Sequence, residues 1–157
     1  MRVHLGCDHA GFELKEQLLS WLPGKGHQPV DHGADQYDPE DDYPLFCVSA
    51  GEAVVADPGS FGIVLGGSGN GEQIAANKVV GVRAALVWND ETATLARKHN
   101  DANVASVGAR MHSTDEALRL IRVFLDTPFS EETRHSRRIA ILASYEETGT
   151  LPEPRQP

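Results

Sequence analysis

Five short strand-like segments, at residues 3–7, 28–31, 61–65, 82–87 and 104–107, alternate along this chain with stretches whose apolar residues recur at helical spacing. No other feature restricts the fold as much. Segments of four to six residues are too short for helices and suit strands. A helix between successive strands is the connection that parallel pairing requires. Phe61-Gly62-Ile63-Val64-Leu65 contains no charged or amide side chain, as expected of a strand covered on both faces.

Between the strands, Phe12, Leu14, Leu18, Leu19 and Leu22 mark a helix that stops at Pro23-Gly24. Residues 44–56 form a second helix, ended by Asp57-Pro58-Gly59, and residues 72–77 a third. Asn89 or Asp90 can cap a fourth, which carries Ala93, Leu95 and Ala96. Ser113 and Glu116 form a capping box ahead of Leu118, Ile121, Phe124 and Leu125. A last helix covers residues 131–147, ahead of Gly149. The pattern predicts an α/β fold: a Rossmann-like, doubly wound, five-stranded parallel sheet flanked by helices, with an extra C-terminal helix. One domain is expected over residues 1–150. The tail 151–157 holds three prolines and is expected to be disordered.

Charge narrows the partners. The 157 residues carry a net charge of −9, which disfavours nucleic acid and anionic membranes as ligands. If the ligand is an anion, the few cations must gather at one site. Cys7 and Cys47 form no C-x-x-C pair, and two cysteines make no disulfide framework. The first residues lack the apolar run of a signal peptide, and no stretch of about 18 apolar residues exists, so a cytoplasmic location is expected. The seven histidines show no metal-ligand spacing.

In doubly wound sheets ligands bind outside the carboxyl ends of the strands. There, Gly66-Gly67-Ser68-Gly69-Asn70-Gly71 places four glycines in six residues between a buried strand and a helix. The amides of Ser68 to Gly71 can converge on one anionic oxygen. A tight turn without a ligand is the plainer alternative. A dinucleotide fingerprint fails, because the third glycine would fall at Glu72 and the loop follows the third strand, not the first. No Gly-Lys-Ser/Thr completes a Walker A loop. Glu72 itself has two readings. Acidic residues favour a first helical turn, yet a carboxylate beside a cradle of amides is also a base next to an oxyanion hole.

Three further clusters carry polar chemistry. Asp8 either caps the helix after strand one or acts in the site, and His9 lies at that helix start. Lys98-His99-Asn100-Asp101 is either a solvated helix end or a functional stretch. Arg110 follows strand five. Arg134 and Arg138 are four apart and share one helix face, either as a solvated face or as a grip on one phosphate.

These residues resemble a family. Gly6-Cys7-Asp8-His9-Ala10-Gly11, Asp42-Tyr43-Pro44, the loop through Glu72, Ile74-Ala75-Ala76-Asn77-Lys78, His99-Asn100 and Arg134 through Arg138 look like ribose-5-phosphate isomerases of the B type. That type lies within the wider group containing allose- and galactose-6-phosphate isomerases. The resemblance spans roughly residues 1–140. It implies a homodimer, or a tetramer of two paired dimers, with active sites between subunits, and neither cofactor nor metal. One branch of the family carries a catalytic cysteine at the position of Gly66. The actinobacterial-type branch uses a glutamate at the position of Glu72, and this chain follows the second pattern.

The resemblance also implies roles. His99 opens the furanose ring, and Asp8 shuttles protons near the ring and hydroxyl oxygens. Glu72 moves the C2 proton to C1 through a cis-enediolate. The amides of Gly67, Ser68, Gly69, Asn70 and Gly71 stabilise that intermediate together with the Ser68 side chain. His9, Arg110, Arg134 and Arg138 hold the phosphate, some from the partner subunit. Asn100 binds a sugar hydroxyl and Tyr43 lines the pocket. Two rivals remain at this level: the same reaction on a hexose 6-phosphate or tetrose phosphate, and a non-catalytic phosphate- or nucleotide-binding module.

Overall fold

The computed structural model describes residues 1–154. Its elements run β1 (Arg2–Cys7), α1 (Phe12–Trp21), β2 (Gln28–Asp31), α2 (Tyr43–Ala56), β3 (Phe61–Gly66), α3 (Asn70–Ala76), β4 (Ala84–Leu86), α4 (Asp90–Asn100), β5 (Val104–Gly108), α5 (Thr114–Asp126) and α6 (Thr133–Thr148). All strand pairs are parallel, in the order β2-β1-β3-β5-β4. The Rossmann-like reading of the sequence therefore holds.

Side-chain alternation along the strands builds two cores. Leu5, Cys7, Ile63, Leu65, Ala105 and Val107 point to one face, where Leu18, Ala96, Leu120 and Phe124 cover them. Val64, Val104 and Ala84 point to the other, against Cys47, Ala50, Val54 and Ala76. β3 sits between β1 and β5 and is buried along nearly its whole length, which is why its run is unbroken by charge.

Several sequence expectations are corrected. The fourth strand shortens from 82–87 to Ala84–Leu86. Side chains take over part of its edge bonding: Arg83 N–H donates to Asn103 Oδ1, and Asn77 exchanges two hydrogen bonds with Ala84. The capping box at α5 is half made. Ser113 accepts from the Glu116 amide, and no reciprocal bond from Glu116 is present among the described residues. The full box forms at Asn89 with Thr92 instead. Asp8 is not the cap of α1; Gly11 holds that position, and Asp8 Oδ1 ties the turn before it through the amides of Ala10 and Gly11. α6 starts at Thr133, after Glu131 takes a φ of 56°. Residues 151–154 are exposed and lie outside helix and strand; the rest of the tail expected to be disordered falls outside the described residues.

Lys15 was not foreseen. It faces the core of α1 with no exposure, its Nζ held by Asp31 Oδ2 at 2.7 Å and by the Ala34 carbonyl at 2.6 Å. A buried ammonium needs such partners. Here they fasten the acidic loop 33–42 beside the end of β1, where Ala34 N–H also donates to the Cys7 carbonyl.

Candidate active site

The sheet reverses its winding between β1 and β3, and the loops leaving these two strands meet at the switch point where such sheets bind ligands. After β1 the chain presents Asp8 and His9. After β3 it turns through the glycine loop into α3. Gly69 closes that turn in the left-handed region, with φ at 82°, and Ser106 Oγ on β5 donates to its carbonyl at 2.6 Å.

Glu72 stands in the first turn of α3, yet its side chain folds inward and is only 4% exposed. The space it occupies is the space Gly66 leaves empty. A Cβ at position 66 would sit 1.8 Å from Glu72 Oε1. A side chain at 66 and the carboxylate of Glu72 therefore exclude each other. Burial pushes the Glu72 carboxyl above its ordinary value. Its own amide pulls it back, the Asp8 charge raises it further, and the Gly69 amide lowers it. Oε2 is buried without a hydrogen-bond partner among the described residues. A desolvated carboxylate with one oxygen left unpaired is a strengthened base.

The other loop residues surround it. The Tyr43 ring covers Gly71, with its Cζ 2.7 Å from where a Cβ there would lie. Over Gly67 the space is open, bounded by Ala10 and by the Arg110 guanidinium, each 3.8 Å from a Cβ built at Gly67. Ser68 and Asn70 are exposed, and Ser68 Oγ accepts from the Asn70 amide and side chain. Arg110 has no carboxylate partner among the described residues, and its guanidinium lies beside the glycine loop. Cys7 is buried in the core, and burial pushes its thiol up to about 12; Cys47 is raised in the same way. Neither thiol is a ready base. Donor atoms of Asp8, His9 and Asp41 lie within 4.8 Å of one another, a grouping that histidine spacing in the sequence did not disclose. Within it, His9 Nδ1 and Asp41 are hydrogen-bonded directly.

His99, Asn100, Arg134 and Arg138 lie elsewhere. α4 runs back against the strands, so its last residues sit beside the strands' starting ends. Arg83 Nε binds the Asn100 carbonyl, and the Asn103 carbonyl accepts from Gly62 at the start of β3. A strand of six residues is about 17–20 Å long. Within one chain that length separates His99 from Glu72. Around His99 a second cluster forms. Its ring lies 4.2 Å from that of His135, which is 1% exposed and bonded to Ser130 Oγ at 2.8 Å. Burial and then the His99 charge push His135 below its ordinary value, against Glu132, and Arg134 and Arg138 add to the lowering. Arg134 pairs with Glu132 at 2.8 Å, while exposed Arg138 has no carboxylate partner among the described residues. His135 was missed because it reads as one more residue in a basic helix.

Comparison with known proteins places this geometry. The family described as Ribose/Galactose Isomerase matches residues 3–142. The chain belongs to that family. Within the isomerase family, ribose-5-phosphate isomerase B of Mycobacterium leprae is 60% identical over 97% of this chain and 94% of its own length. Its counterpart from Mycolicibacterium paratuberculosis is also 60% identical, over 97% of this chain and 96% of its own length. Among solved structures, ribose-5-phosphate isomerase B of Clostridium thermocellum superposes with a TM-score of 0.90 at 35% identity, covering 96% of this chain and all of that one. The Mycoplasma genitalium enzyme, solved with bound ribulose 5-phosphate, gives 0.89 at 36% identity over 94% and 97% of the two chains. No helix of the described residues is long and apolar enough to cross a membrane.

Proposed function

We propose that this chain interconverts ribose 5-phosphate and ribulose 5-phosphate in the cytoplasm, with Glu72 as the base. The observation that carries the mechanism is the buried Glu72 carboxylate, seated in the gap at Gly66 beside the glycine loop. The names of the similar isomerases support the substrate.

Opening the sugar ring frees the C1 aldehyde, a step given to His99. Glu72 then takes the proton from C2. The electron pair forms the C1–C2 double bond of a cis-enediolate, whose negative oxygen meets the amides of Gly67 to Gly71 and Ser68. Losing one donor of that kind typically costs about 2.7–4 kcal/mol of barrier. Glu72 returns the proton to C1 while Asp8 moves a proton between the two oxygens. His9, Arg110, Arg134 and Arg138 bind the phosphate, Asn100 a hydroxyl, and Tyr43 closes the wall over Gly71.

This assignment requires a second copy of the chain, because His99 and the two arginines lie a strand's length from Glu72. A two-fold dimer would place the amino-edge cluster of one subunit over the glycine loop of the other, giving two equivalent sites. An apolar groove supports it. The groove runs beside the edge strand β4 and is lined by Ala84, Leu86, Ile139, Leu142 and Tyr145, of which Leu142 is 55% and Tyr145 50% exposed. Such surface is what an obligate interface covers.

Proton NMR of ribose 5-phosphate in deuterated water tests the reading. The chain should exchange the C2 proton as ketose forms, and Glu72→Gln should abolish both. Binding without exchange would leave a phosphate-binding module.

A further inference from the structure

The acidic loop 33–42 is absorbed by no step of the reaction, yet it closes on His9. Asp41 Oδ1 accepts twice from that one residue, from the His9 amide at 2.9 Å and from Nδ1 at 2.7 Å. The Asp41 side chain is 8% exposed, and its Oδ2 is buried with no partner among the described residues. Burying a carboxylate this way is costly unless its bonds do something. All of them go to His9. Tyr37 of the same loop sets its ring edge-on to the imidazole at 6.2 Å, so the ring is held on two sides.

We infer that Asp41 is a positioning residue for His9, holding the ring so that Nδ1 carries its proton toward Asp41 and Nε2 is the atom offered to the substrate. An ionised carboxylate only accepts, so Nδ1 must be the donor whether the ring is neutral or charged. Nε2 has no partner among the described residues and the His9 side chain keeps 21% exposure, which leaves that nitrogen for a ligand. Without Asp41 the ring can rotate and take the other tautomer. The charged groups that face His9 from its surroundings are Asp8 and Asp41, with Arg110 across Ala10. The effect on turnover rests on the reading of His9 as a substrate ligand; the effect on the ring does not.

The test uses the full chain in four forms: Asp41→Ala, Asp41→Asn, His9→Ala and the double variant. Asp41→Ala should raise KM for ribose 5-phosphate about tenfold, the weight of one charge-assisted hydrogen bond, with kcat changed less than about threefold. Asp41→Asn should recover most of the loss, since its amide oxygen still accepts. In the His9→Ala background, Asp41→Ala should add nothing. Nitrogen-15 spectra of the histidines should show the His9 proton on Nδ1 in the parent and redistributed in Asp41→Ala. Additive losses in the double variant, or unchanged His9 nitrogen shifts, overturn the inference. If His9→Ala leaves KM unaltered while the nitrogen shifts move with Asp41, the ligand role of His9 fails and the positioning by Asp41 stands.

Discussion

The two polar clusters at opposite ends of the sheet are built in opposite ways. At the carboxyl edge, Glu72 is buried, its position dictated by the empty volume at Gly66 and by a loop locked through Ser106 and Tyr43. At the amino edge, Arg134 and Arg138 stand exposed on a helix, with only His135 beneath them packed away. The first cluster owes its geometry to backbone and close packing, and one chain completes it. The second has charge and hydrogen-bonding capacity but nothing of its own to act on. A base must be placed to within fractions of an ångström, whereas cations that hold a phosphate act over longer distances and tolerate delivery by another subunit.

The sharpest way to break that contrast is Glu72→Gln. It preserves shape and removes the base, so kcat should fall by roughly 10²–10⁴, the range for a positioned general base, while inhibitor affinity survives. Near-normal turnover would move the chemistry away from the carboxyl edge. Gly66→Ala follows. The added methyl must displace the Glu72 carboxylate, since its Cβ lies 1.8 Å from Oε1. A shift of about 1 Å can cost roughly a hundredfold in rate. Crystallography of that variant should show Glu72 rotated away; a carboxylate left in place with activity lost would contradict the steric account.

Mixing subunits tests the division of labour directly. Glu72→Gln and His99→Asn homodimers should each be nearly inactive. Co-refolded one to one, half the dimers are mixed and one of their two sites is intact, so about a quarter of the parent activity should return. No recovery would mean that both clusters serve within one chain. Arg138→Ala should have a smaller effect, raising KM about tenfold and sparing kcat, because it removes one charged contact to phosphate and breaks no ion pair. Steady-state kinetics at fixed ionic strength would settle it, and an unchanged KM would take Arg138 out of the phosphate site.

The sheet was legible because its signals are local: runs of apolar residues, a capping asparagine at 89, Gly149 at the left-handed end of α6. The glycine loop was legible for the same reason. What the sequence could not disclose is which polar residue turns inward. Glu72 reads equally as a helix-dipole acid. The resemblance favours the base, and the structure adds that the carboxylate fills the space Gly66 leaves empty. Lys15 and Asp41 were hidden likewise. One is a charged residue in helical register with Leu18 and Leu22 on the apolar face of α1, the other is one of five acids in one loop, and each is defined by contacts across the fold. The spacing of Arg134 and Arg138 was visible, but not that their cluster lies a strand's length from Glu72.

The smallest expected effect concerns stability and tests whether the carboxyl edge holds a strained charge. The folded chain raises the Glu72 carboxyl above its unfolded value, chiefly through burial. A carboxyl raised in this way binds its proton more tightly in the folded state. Its cost to stability is therefore absent below the unfolded pKa and fully present above the folded one. Glu72→Gln carries no such charge. The variant should melt a few degrees higher than the parent near pH 8, with the gap narrowing as pH falls through the folded pKa of Glu72 and vanishing near pH 4. Paired melting curves across that range check it. The amino-edge substitution Arg138→Ala should show no comparable pH-dependent gap, because its side chain is exposed and meets no carboxylate among the described residues. Equal pH dependence in both variants would mean that burial of Glu72 does not set its ionisation, and the asymmetry between the two ends of the sheet would lose its physical basis.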